Sequence, residues 1–308
     1  MLTPDNAHPP ARAPMQRLVQ ALVSIAIGAL ISGCGGGGGG ATDSPPTQPV
    51  SILFAAVIGD QQPVDCGNTL KTLGSQETDA QMIDLRFYLS DIRLVSASGA
   101  ETPITLDDNA YQVTEGNRHA ALIDLAQDGT GACEGSAETN AKVSGTVASG
   151  SYTRLRATLG LPPEMNHSNL STRDKPVHPA LDLATMFWNW QLGRKFLLLE
   201  IKPVIGVGNY PVHLGSTNCA GDTPGDYFCT RANKVSIDID FDPITQRVGF
   251  DLKEVFRNVD VTRNLSGFEG CMSQWDDLDC QSIFANLGLS LTDGSSLGTQ
   301  RAFRAIPK

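Results

Sequence analysis

The chain has 308 residues, with 23 Lys plus Arg against 33 Asp plus Glu and a formal net charge of −10. With 41% hydrophobic and only 18% charged residues it is too apolar for a disordered chain and long enough to bury one sizeable core. The acidic balance argues against a nucleic-acid binder, which needs a basic surface for phosphate, and the low charge density argues against a coiled coil.

The N-terminus supplies an address. Arg12 and Arg17 precede an apolar run from Leu18 to Ile31, followed by Ser32-Gly33-Cys34. A basic region, a short apolar stretch and small residues before a cut site make a secretory signal peptide. The run is about 14 residues, short of the roughly 20 that span a bilayer. Ile31-Ser32-Gly33-Cys34 also resembles a bacterial lipobox, whose Cys is lipidated. Gly35 to Gly40 and Ser44-Pro45-Pro46-Thr47 then read as a flexible tether. The expected organisation is a signal peptide over 1–33, a tether from lipidated Cys34 over 34–50 and one domain over 51–308. That places the domain in the bacterial periplasm or on the outer membrane, anchored by lipid.

Beyond Cys34, six cysteines remain: Cys66, Cys133, Cys219, Cys229, Cys271 and Cys280. An even count in an oxidising compartment predicts three disulfides, whose connectivity the count alone leaves open. Short loops close at the least entropic cost, which favours Cys219–Cys229 and Cys271–Cys280 and leaves Cys66 with Cys133. Neither short pair has zinc-knuckle spacing.

From residue 51 onward the chain reads as strands. Ser51–Ile58 is a β-rich apolar run. Ile83, Leu85, Phe87 and Leu89 alternate with Asp84, Arg86 and Tyr88, the period of a half-buried strand, and a bulge is expected at Ser90-Asp91. Tyr152–Leu161 and Val235–Phe241 alternate too, and Phe196–Ile201 is a continuous buried-strand candidate. Short helices fit only Leu252–Val259 and Gln281–Leu287. The expected fold is all-β: one disulfide-stapled β-sandwich with one or two short helices.

Catalytic signatures are missing: no G-x-S-x-G elbow, no P-loop, no H-E-x-x-H. Asp276, Asp277 and Asp279 lack EF-hand spacing and read as a solvated turn. The informative stretch is Leu159 to Cys229, which holds His167, His178, His213, Trp188 and Trp190. Imidazoles are the usual ligands of copper and zinc, yet a Pro- and Asn-rich surface loop can carry histidines by chance. On composition, both readings stand. In an extended segment Trp188 and Trp190 point to opposite faces.

At these residues the sequence resembles a known family. Gly160-Leu161-Pro162, Asn166-His167, Met186-Phe187-Trp188-Asn189-Trp190-Gln191 and His213-Leu214-Gly215-Ser216-Thr217-Asn218-Cys219 look like the MbnP proteins, as does Asp84–Leu94. The resemblance runs from about residue 51 to the C-terminus. It departs at Gly193-Arg194-Lys195-Phe196, where the family usually has Gly-Tyr-Lys-Phe. That departure is expected to affect packing near the tryptophan segment more than near the histidines. The resemblance implies a secreted or lipidated copper binder, with copper as Cu(I). It also implies a di-haem, MauG-type peroxidase partner, MbnH-like, that oxidises a tryptophan, Trp188 or Trp190, to kynurenine. His167 and His213 lie in the family motifs and are the implied ligands, with His178 in reserve. His119 is expected at the surface before a strand, and Trp275 is expected to stay unmodified. The chain itself is expected not to be an enzyme. Alternatives are an adhesive or carbohydrate-binding sandwich using exposed tryptophans, and a hydrolase, for which no Ser or Cys has an activating context.

Overall fold

The alternation at Ile83–Leu89 belongs to an 18-residue strand, Thr78–Val95. The computed structural model describes residues 45–60, 62–168, 177–189, 191–221 and 226–308. The expected signal peptide, Cys34, most of the tether and Trp190 lie outside these residues. Phe87, on one face of the strand, meets Phe54, Phe250 and Phe303 at ring-centroid distances of 5.9, 5.5 and 5.6 Å. Those three belong to Thr47–Val57, Gln246–Asp251 and Phe303–Pro307, neighbours in a five-stranded sheet. Thr78–Val95 belongs to a ten-stranded sheet. Two sheets thus face each other across an aromatic core, giving the expected disulfide-stapled sandwich. Each buried ring contributes about 1.5–3 kcal/mol, whereas an exposed pair such as Arg154–Asp238 contributes about 0–1 kcal/mol. The core, not the surface charge, holds the sheets together.

Thr47–Val57 pairs in antiparallel register with Lys142–Ala148 from Thr47 onward. The sheet therefore takes in the last four residues read as tether. In the larger sheet, Gly193–Pro203 lies between Thr78–Val95 and Tyr210–Gly215, both antiparallel. The expected bulge is present: pairing of Thr78–Val95 with Arg154–Leu159 shifts register between Ser90 and Arg93, and Asp91 takes a φ of 51°. Short helices form at Pro163–Asn166, Leu252–Val255 and Cys280–Asn286. No helix among the described residues is long and apolar enough to cross a membrane. Disulfides join Cys66 to Cys133, Cys219 to Cys229 and Cys271 to Cys280, the pairing that loop length favours.

Three expectations need correction. Thr78–Val95 is not half-buried: Asp84 and Arg86 are 5% and 2% exposed. The segment 179–186 covers that face, with Tyr88 donating from its hydroxyl to the Ala180 carbonyl and Arg86 donating to Thr185 Oγ1. His119 does not precede a strand at the surface; it lies within Arg118–Asp124, half-buried, and its Nε2 accepts from the Ile92 amide. Burial lowers its pKa. Asp277 and Asp279 are not a solvated turn. They are 0% and 2% exposed and accept hydrogen bonds from Met272, Ser266 and Leu265 amides and hydroxyls, which ties the 264–268 loop to the Cys271–Cys280 loop. Asp276 alone of the three faces solvent.

Candidate metal and tryptophan site

His213 is central in the strand Tyr210–Gly215, paired with Leu198, rather than in a loop. It is 9% exposed, and its Nε2 lies 2.8 Å from Glu200 Oε1. Burial lowers the His213 pKa against the opposing pull of Glu200, which keeps the imidazole neutral, the form a metal binds. The bond from His213 in turn holds the Glu200 carboxyl below its usual range. A carboxylate on one ring nitrogen fixes the tautomer, so Nδ1 is the nitrogen left for a metal. Glu200 escapes sequence reasoning, though it is the lone charge in the apolar run 196–201, and that is a signal.

Beside this pair lies a buried ionic layer. Asp84, Arg86, Leu198, Glu200 and His213 share one face, set by the cross-strand pairs Asp84–Glu200, Arg86–Leu198 and Leu198–His213. Arg86 holds Asp84 at 2.9 Å and Asp124 at 3.3 Å. Asp84 Oδ1 finds no hydrogen-bond partner. Burial outweighs the Arg86 charge and pushes Asp84 up to about 7.

Trp188 lies in the short strand Phe187–Asn189, half-buried. Its ring fills the place where Gly215 would carry a side chain: a Cβ there would sit 2.6 Å from Trp188 Cζ3. Gly215 and His213 are two apart on one strand and share a face, so the ring stands on the His213 side. The Cys271–Cys280 loop lies on this strand as well, with Ser273 Oγ donating to the His213 carbonyl and accepting from the Gly215 amide. Trp275, in that loop and 64% exposed, is therefore near the His213 strand in space though remote in sequence.

His167 follows the helix Pro163–Asn166 and is 5% exposed. Arg194 N–H donates to Asn166 Oδ1 at 2.8 Å, which turns Asn166 Nδ2 toward His167 Nε2 at 3.1 Å. Nε2 must then accept, so the proton sits on Nδ1. Gly193, at φ 76°, lets Asn166 approach; a Cβ there would lie 2.7 Å from three Asn166 atoms. The Arg194 guanidinium, fully buried, donates to the carbonyls of Met165, Asn166, Ser168 and Leu181. It also stands 5.8 Å from the Phe187 ring centroid. The Gly-Arg-Lys-Phe departure thus grips the His167 segment, a correction to the expectation that it bears mainly on the tryptophans.

His178 caps a short 3-10 turn, its Nδ1 accepting from the Ala180 amide and its Nε2 lying 3.4 Å from Asp108. Among the described residues, donors cluster in threes at His167-Cys219-Cys229 and at Cys271-Asp277-Cys280. Neither cluster includes His213 or His178. The structure therefore joins Trp188 with the His213 strand, and His167 with the Cys219–Cys229 disulfide.

Comparison with curated proteins gave no significant match. The solved structure of MbnP from Methylosinus trichosporium is similar, with 32% identity, a TM-score of 0.74, and coverage of 84% of this chain and 98% of that one. The family described as MbnP matches residues 47–273, a span that takes in His167, Trp188, Arg194, Glu200 and His213, and the chain belongs to that family.

Proposed function

We propose that this chain is an extracytoplasmic, lipid-anchored copper-binding protein, itself no enzyme, in which a di-haem peroxidase-type partner oxidises Trp188 to kynurenine. The reading rests first on the seating of the Trp188 ring on Gly215, on the same strand face as His213. Each histidine fits a soft ion on its own side of the site: His213 is carboxylate-oriented with Nδ1 left for a metal, and His167, beside the Cys219–Cys229 disulfide, has its unprotonated nitrogen at Nε2. Kynurenine carries an aromatic amine that tryptophan lacks, and with imidazoles it offers the low-coordinate nitrogen set that suits Cu(I). One indole and two molecules of hydrogen peroxide give the ring-opened N-formyl product and two waters as the C2–C3 bond breaks, and hydrolysis then releases formate. Peroxide is the final electron acceptor, with the partner's haems as the relay.

The chain's own residues have defined tasks in this reading. Gly215 seats the ring, Glu200 orients His213, and Asn166 sets the His167 tautomer. Their work is positional, which accords with the missing catalytic motifs.

The test is production with and without the partner and peroxide, followed by peptide mass mapping and copper analysis. The peptide with Trp188 should gain one oxygen and lose one carbon only with active partner, Trp275 should stay intact, and copper should bind more tightly to the modified protein. A modified Trp190 with intact Trp188 would overturn the assignment of the residue. No modification at either would overturn the oxidation.

A further inference from the structure

The three disulfides differ in access. Cys271 and Cys280 are 0% exposed, and Cys66 and Cys133 are 1% and 7% exposed, whereas Cys219 and Cys229 are both half-exposed. The last two are directly opposed on the antiparallel strands Thr217–Ala220 and Phe228–Arg231. His167 Nε2 stands 3.4 Å from Cys229 Sγ, and a ring nitrogen and both sulfurs lie within 4.8 Å of one another. The Tyr227 ring lies 5.4 Å from the imidazole, centroid to centroid.

That spacing is one that a shared metal accommodates. With about 2.3 Å to sulfur and about 2.0 Å to nitrogen, two donors on one tetrahedral ion are about 3.5 Å apart. The nitrogen and one sulfur already have this separation; only the sulfur–sulfur bond has to open. The Asn166 bond puts the proton on Nδ1 and leaves Nε2, the nitrogen that faces the sulfur, unprotonated; a metal on Nε2 replaces the Asn166 N–H there.

We propose that Cys219, Cys229 and His167 form a second metal site, closed as a disulfide and opened by reduction, that takes monovalent copper. An external dithiol supplies two electrons and two protons: the Cys219–Cys229 bond breaks, two thiols form, and the donor becomes its own disulfide. Copper binding then displaces the two thiol protons, leaving two thiolates and a neutral imidazole on the ion. Thiolates are soft donors and select Cu(I). The exposed pair is the one a reductant reaches first. This site goes beyond the function proposed above: it shares only His167 with it and needs neither Trp188 nor His213.

The experiment uses full-length protein carrying His213→Ala, produced without the haem partner, so that the kynurenine site is disabled. It is treated anaerobically with graded dithiothreitol, an aliquot is alkylated and mapped, the reductant is removed, and Cu(I) is titrated against the chelator bicinchoninate. Cys219 and Cys229 should be alkylated before the other four cysteines. The reduced protein should then take one Cu(I) at least about 100-fold more tightly than the oxidised protein, with sulfur neighbours in X-ray absorption. Adding His167→Ala should weaken that binding by about tenfold. Cys219→Ser with Cys229→Ser should abolish the effect of dithiothreitol. If His213→Ala does not fold, wild-type protein reports the same site as an extra, sulfur-ligated equivalent of Cu(I) that appears only after reduction. Equal Cu(I) affinity before and after opening of this pair, or opening of a buried pair first, would overturn the proposal while leaving the kynurenine reading intact.

Discussion

The two candidate histidines are held by different means. His213 stands within a paired strand, its backbone bonded to Cys271 and Ser273 and its ring to Glu200. His167 stands after a four-residue helix and depends on Asn166 and Arg194, residues that lie 1 and 27 positions away in sequence. The first is positioned by the sheet, and whatever disturbs it must disturb the sheet or the ionic layer. The second is positioned by one buried guanidinium and one amide, so a single substitution at a distance can release it. A rigid donor and a releasable donor beside an accessible disulfide suit different tasks.

The sharpest way to break this comparison is Arg194→Ala. It removes the guanidinium that donates to four backbone carbonyls, of which, among the described residues, only Met165 keeps another donor, the Ser168 hydroxyl, and the lost charged hydrogen bonds should cost about 3–5 kcal/mol of stability. Denaturant unfolding should show that loss. Amide exchange should speed up at 165–168 and not along Tyr210–Gly215. Arg194→Tyr, which restores the usual family residue, should lose less, because the ring can occupy the volume. Equal loosening of both histidine segments would show that they are not independently held.

Gly215→Ala tests the other side with a smaller effect. Its Cβ would sit 2.6 Å from Trp188 Cζ3 and 3.0 Å from the Arg194 carbonyl oxygen. Relieving that overlap should cost about 1–3 kcal/mol, and it should shift the tryptophan emission as Trp188 moves toward solvent. The His167 segment should keep its exchange protection. An unchanged emission spectrum would mean that the ring is not seated on Gly215.

The sequence made the strands legible, because alternation sorts side chains by face whatever covers those faces. Leu85, Phe87 and Leu89 do face the aromatic core. What alternation could not tell is that the opposite face, with Asp84 and Arg86, is covered by 179–186 rather than water, since the cover comes from about 100 residues downstream and carries no periodic signal. Asp277 and Asp279 misled for the same reason: a carboxylate that accepts amide hydrogens from a distant loop reads like a solvated one. The histidine and tryptophan segments were legible through their motifs. Arg194 showed only as a departure, and its direction of action needed the close approach of Asn166 to Gly193. Short cysteine loops were legible because closure entropy depends on separation along the chain.

The last expected effect is a change in the slope of stability with pH rather than a loss at one pH, and in it Asp84 and His213 oppose each other. Asp84 has its folded pKa raised from 3.8 to about 7, chiefly by burial. Between those values the folded state binds more protons than the unfolded state, so this group makes stability fall as pH rises from about 4 to about 7. His213 has its folded pKa lowered from 6.5, again chiefly by burial. Below 6.5 the unfolded state binds the extra proton, so this group makes stability rise with pH until about 6.5. In the wild type the two slopes partly cancel just below about pH 6.5, where both groups are titrating. Asp84→Asn removes the falling contribution and should leave a curve that rises more steeply over that interval and declines less toward pH 7. Urea unfolding midpoints at half-unit pH steps would measure this. If Asp84→Asn left the slope unchanged, the carboxyl would be ionised throughout, with Arg86 rather than burial governing its proton.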